Sequence, residues 1–173
     1  GEKIMLRKIV TVVAIAMITV SLNTSIRADE DSLVTFKVLK PEIALELAQA
    51  TMVDCRKKGY QVAVSVVDRF GILQVTLRDR FAGTHTPETA RRKAWTAVSF
   101  RTDSGEISRL IKDGELSPGI RHVPGALMLG GGVRVEAAGT MVAGVGVSGA
   151  PGGPADEACA RAGIEAIADK LPF

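Results

Sequence analysis

From residue 41 onward apolar positions recur every three or four residues, and this spacing predicts a first helix. Its stripe runs Ala44, Leu47, Ala48, Thr51 and Cys55, with Pro41 in the first turn, an end near Lys57 and Gly59 as the stop. The pattern then changes period. "YQVAVSVVD" (Tyr60 to Asp68) is β-branched and almost continuously apolar, which predicts a central strand, whereas "ILQVTLRD" (Ile72 to Asp79) alternates. Turn residues fill Asp68 to Gly71, so the two runs read as a hairpin. Helical spacing returns with Thr86 as N-cap and Pro87 as the first helical residue. Ala90, Ala94, Ala97 and Val98 then form the buried face of a helix reaching Phe100. A shorter helix is predicted over Ser104–Lys112, followed by the loop "GELSPGIRHVPG". Residues 126–149 read as three short strands, with turns near Gly130–Gly132 and Ala138–Thr140. An amphipathic helix over 154–170 closes the chain, with Cys159, Gly163, Ala166 and Ile167 turned inward and an acidic first turn. Hairpins dominate this order and no βαβ unit repeats. The expected class is therefore α/β (α+β): a five-stranded antiparallel sheet flanked by helices.

The first residues follow none of these periods. A basic segment, Met5 to Lys8, precedes the apolar stretch Ile9–Leu22, and "NTSIRADED" then turns abruptly polar. That layout predicts a secretory signal peptide over residues 1–28 with cleavage after Ala28, residues 1–4 being sequence upstream of Met5. The stretch falls short of the ~20 apolar residues of a spanning helix, so no stable membrane span is expected. Residues 29–40 read as a partly extended lead-in and 41–173 as a single domain. The formal charge of +3 changes meaning under this reading. Lys3, Arg7, Lys8 and Arg27 against Glu2 alone lie in the leader, which leaves 18 basic and 18 acidic side chains. A balanced surface gives no case for nucleic-acid binding. Aromatic residues make up only 4% of the chain, so the core must be built from Val, Ala and Gly, which lets backbone layers approach closely. Export would place Cys55 and Cys159 where they could pair, although two buried thiols fit the helical stripes equally well. Two cysteines without clustered histidines argue against a structural zinc site.

Two stretches could carry chemistry. "GVGVSGAPGG" holds Gly144, Gly146 and Gly149 in G-x-G-x-x-G register. A dinucleotide site needs a second strand bearing an acid ~20 residues on, and here the following helix ends the chain. Gly144 and Gly146 instead share one face of a strand and leave it bare for close packing. The second stretch is "GTHTPETARRKAW". His85 stands before a helix N-terminus, where the dipole favours the neutral, ligating imidazole. Arg91, Arg92 and Lys93 sit in the unfavourable half of the same helix unless an anion is near. One imidazole beside two guanidiniums suits a haem, as an iron ligand with cations for the propionates. A loop histidine with a solvated basic face fits the same residues. His122 reads as a surface residue, and Met52 and Met128 as core fillers. Ser148 with Asp68 has no supporting spacing, and "GVSGA" lacks the nucleophile-elbow pattern.

Three blocks together resemble the GlcG/HbpS family, also found as the C-terminal part of PduO-type proteins. They are "GYQVAVSVVDRFG" (59–71), "HTPETARRKAWTA" (85–97) and "GGGVRVEAAGTMVAGVGVSGAPGGPADEACARAGIEAI" (130–167). The resemblance implies a profilin-like three-layer fold, a homo-oligomer (dimer or larger), and haem or a related small molecule as partner. Exported members are linked to extracellular haem and redox sensing, which implies a periplasmic or secreted haem-binding protein. It carries over His85 as the metal ligand, with Arg91 and Arg92 beside it as cofactor-binding residues. Occurrence beside glycolate metabolism implies a different function, an enzyme on a small organic acid. There Arg91 or Arg92 would clamp the carboxylate and His85 would act as general base. An oligomeric scaffold without a ligand is the third reading. Ligand shape separates the first two, since a porphyrin needs a broad apolar slot near His85 and an acid needs a small closed polar pocket.

Overall fold

Helix α1 (Pro41–Lys57) opens the fold, and the computed structural model of the chain describes residues 32–171. The predicted signal peptide lies outside the described residues. Strands β1 (Ala63–Asp68) and β2 (Leu73–Arg78) follow, then helices α2 (Thr86–Phe100) and α3 (Ser104–Lys112). Strands β3 (Gly132–Ala137) and β4 (Thr140–Ser148) come next, and helix α4 (Gly153–Glu165) completes the order. The strands form one antiparallel sheet in the order β2-β1-β4-β3, flanked by helices. Val64 and Val66 of β1 pack in the main core with Leu47 and Ala48 of α1 and with Cys159 and Ala160 of α4. Val67 faces the other way and meets Ala94 and Val98 of α2. Alternation along β1 thus buries both faces of a central strand. Among the described residues no helix is long and apolar enough to cross a membrane.

The sheet has four strands, not the expected five. Residues 126–129 are apolar enough for a strand, but side chains hold their backbone. Leu127 N–H donates to Thr96 Oγ1 at 2.8 Å, Arg92 donates to the Ala126 carbonyl at 2.6 Å, and Ser104 Oγ donates to the Leu129 carbonyl at 2.6 Å. Ala126 and Met128 are buried against Ile107 and Ile111 of α3, in a cluster separate from the main core. With these polar groups satisfied and Ala126 and Met128 already buried, the segment gains nothing by joining a ladder. The closing helix also ends earlier than expected, at Glu165, with a short 3₁₀ turn over Ala168–Lys170.

Sequence spacing correctly placed the strand glycines. A Cβ on Gly146 would sit 2.0 Å from the Ala90 carbonyl oxygen, and one on Gly144 would sit 2.6 Å from Val98 Cγ1. Helix α2 therefore lies directly on the β4 backbone, with no room for a methyl at 146. Gly146→Ala is expected to cost at least about 3 kcal/mol, the upper end for overpacking, because the clashing atoms are backbone. Urea unfolding checks this, and a loss under about 1 kcal/mol would contradict the contact.

The cysteines of α1 and α4 form a disulfide, Cys55–Cys159, with Cα atoms 5.5 Å apart and both side chains fully buried. Of the two readings left open by the stripes, pairing is the one found.

Candidate functional site

A cleft of 840 Å³ opens where the start of α2, the end of β4 and the loop into α4 meet. His85, Thr86 and Phe81 line one side. Gly149, Ala150, Pro151, Gly152 and Gly153 line another, with Tyr60, Gln61 and Leu129 at the rim and Ser148, Lys93 and Asp156 also in the wall. The fold thus brings the tail of "GVGVSGAPGG" into the same cleft as His85, although the two are far apart in sequence.

His85 takes the N-cap position of α2, one residue earlier than expected for the cap. Its carbonyl accepts from Thr89 N–H at 3.1 Å and from Thr89 Oγ1 at 3.0 Å. Thr86, expected to cap the helix, is instead its first residue. The buried Thr86 hydroxyl donates back to the Gly83 carbonyl at 2.7 Å. This ties the loop before α2 to the helix itself and leaves the His85 side chain exposed to solvent.

The arginines point elsewhere. Arg91 makes a two-pronged ion pair with Glu88, both bonds 2.7 Å, and holds that carboxyl below the usual carboxylate range. Arg92 donates to the Gly125 and Ala126 carbonyls, at 3.3 and 2.6 Å, and so pins the loop that precedes β3. Neither is in the wall of the His85 cleft. The cation that does line it is Lys93, with only 4% of its surface exposed. Its ammonium donates to Asp156 Oδ2 at 2.7 Å and to the Val147 carbonyl at 3.0 Å. Asp156 Oδ1 accepts from Ala150 N–H at 3.0 Å, so the Lys93–Asp156 pair joins α2, α4, β4 and the glycine loop. Burial raises the Asp156 carboxyl above its ordinary range, while Lys93 and the Ala150 amide pull it back in part.

Sequence reasoning missed this pair by treating Lys93 as one of a surface run. The available signal was its place on the Ala90, Ala94, Ala97 stripe, where a lysine needs a buried partner.

The remaining candidates are placed as follows. Met52 packs in the main core and Met128 in the α3 cluster, as expected of fillers. His122 is exposed on a 3₁₀ turn, Pro118–His122. Ser148 pairs with Ala63 at one end of β1, whereas Asp68 lies at the other end and accepts from Phe70 and Ile72 N–H. Those two cannot form a catalytic couple. Among the described residues no group of three or more His, Cys, Asp or Glu could hold a metal ion.

The HbpS-like family model, described as haem degrading protein HbpS-like, matches residues 39–165. A double mutant of Streptomyces reticuli HbpS superimposes with a TM-score of 0.75 and 39% identity, covering 83% of this chain and 97% of that one. A PduOC:haem complex superimposes at 0.70 with 31% identity, covering 75% of this chain and 95% of that one. The corrinoid adenosyltransferase PduO of Salmonella typhimurium is 33% identical over 106 residues, which is 60% of this chain and 32% of that protein. The chain spans about a third of the length of the curated relatives it matches. Fold, motif blocks and family match agree: the chain belongs to the HbpS-like family.

Proposed function

We propose that this chain is an exported haem-binding protein that scavenges, stores or senses haem, with His85 as an axial ligand to the iron. The observation that carries the reading is the pairing of a broad cleft with one solvent-accessible imidazole at its edge. A haem brings four equatorial nitrogens of its own and asks the protein for axial ligands and an apolar slot. His85 meets the first part of that demand, and the slot is a mixed one whose wall carries Gln61, Ser148, Lys93 and Asp156 beside its apolar groups. A bare metal ion would need several side chains together, and no such group exists among the described residues. Phe81, Tyr60 and Leu129 supply apolar surface at the rim. The breadth of the cleft disfavours a small organic acid, for which a closed polar pocket was expected. The related PduOC:haem complex supports the same ligand class.

Arg91, although outside the cleft wall, is the guanidinium we assign to a propionate that extends beyond the cleft. Its present partner Glu88 is 62% exposed, and such surface pairs exchange at little cost. Arg92 remains with its loop carbonyls in this reading. The disulfide supports an oxidising compartment, periplasmic or extracellular. Exposed Phe70, Ile72 and Leu73 on the β1–β2 hairpin support self-association, which light scattering on the purified chain tests.

Haem titration tests the main reading. The wild-type protein is expected to give a Soret band that shifts on binding, and His85→Ala to weaken binding at least about 100-fold. An unchanged spectrum and affinity in His85→Ala would remove His85 from the site.

A further inference from the structure

The His85 ring is seated against backbone. A Cβ on Gly83 would stand 2.7 Å from His85 Cε1 and 2.9 Å from Nδ1, far inside ordinary contact. Gly83 is not placed to yield. Its carbonyl accepts from Thr86 N–H at 3.0 Å and from Thr86 Oγ1 at 2.7 Å, and Thr86 is 2% exposed. Nor does the backbone itself call for glycine here, since Gly83 lies outside the left-handed region. What glycine supplies at 83 is space for the imidazole.

We infer that Gly83 is a positioning residue for His85: it seats the Nδ1–Cε1 edge of the ring and leaves Nε2 as the nitrogen that meets the ligand. This rests on the haem reading above. Metal-binding histidines are normally fixed by a second contact at the nitrogen that does not ligate, which sets ring orientation and tautomer. Here the contact is steric: the ring edge occupies the space that a Cβ on residue 83 would take. A methyl group at 83 would meet the ring below 3 Å, and the ring, as the end of a side chain, is the part that turns away. Ligation would then suffer while the fold stays intact.

The test compares wild type, Gly83→Ala and His85→Ala as full chains. Haem titration gives affinity, electron paramagnetic resonance of the ferric haem complex gives the axial ligand, and NMR of the haem-free protein follows the His85 Cε1–H resonance. In Gly83→Ala the resonance is expected to move and haem affinity to fall about tenfold or more, with an altered axial signature. The melting temperature is expected to match wild type. Wild-type affinity and signature in Gly83→Ala, with both lost in His85→Ala, would overturn the positioning role and leave the haem reading standing. Wild-type behaviour in His85→Ala would overturn both. An unmoved Cε1–H resonance in Gly83→Ala would overturn the seating of the ring whatever the haem result.

Discussion

Replacing Cys55 and Cys159 together by alanine is expected to lower the unfolding free energy by about 4 to 5 kcal/mol. The size follows from the loop that the bond closes, since the two residues are 104 positions apart and the disulfide removes that loop's freedom from the unfolded chain. It ties α1 to α4 at their crossing. One turn away, a Cβ on Gly163 would fall 1.9 Å from Thr51 Oγ1, so the two helices are already in close contact and add little play. The effect should reach the cleft as well, because Asp156 lies one turn before Cys159 on the same helix. Urea unfolding of the double variant checks the value, with the reduced wild type as a second measure. A loss under about 1 kcal/mol would mean that packing alone holds the crossing.

Asp156→Ala is expected to destabilise by about 3 to 5 kcal/mol, because it strands the Lys93 ammonium, nearly buried in the cleft wall. Both side chains are almost fully buried, at 4% and 3% exposure, so solvent is a poor substitute for the lost partner. The variant also removes the acceptor for Ala150 N–H and frees a loop that lines the His85 cleft. Lys93→Met combined with Asp156→Leu should recover much of the loss, since the uncompensated charge disappears. It should stay below wild type by about 1 to 3 kcal/mol for the unsatisfied amide. Equal losses in the single and double variants would show that the amide contact, and not the stranded charge, dominates.

The parts of this fold legible in sequence are those set by local period. Helices α1 and α3 were read at the observed ends, Pro41–Lys57 and Ser104–Lys112, and the glycine pair in β4 was read as a bare face. What stayed illegible depends on contacts between distant segments. Residues 126–129 have strand-like composition, and only the side chains of Arg92, Thr96 and Ser104 decide that they form none. The cleft follows the same logic. His85 could be picked out from its place before a helix, but its sharing a cleft with Gly149–Gly153 is a product of the sheet order. Sequence reasoning set the glycine run aside from the chemistry, whereas the fold makes its tail a wall of the candidate site. Lys93 and Asp156 looked like a solvated cation and a helix-dipole acid, and each is explained only by the other.

Haem bound in the cleft beside His85 can be located directly by paramagnetic broadening of backbone amides on titration with ferric haem. Broadening is expected at His85 and Thr86 and along Gly149–Gly153, with the distant groove at Leu39, Val142 and Leu171 unaffected. Broadening confined to that groove, or to any face away from His85, would contradict the assignment.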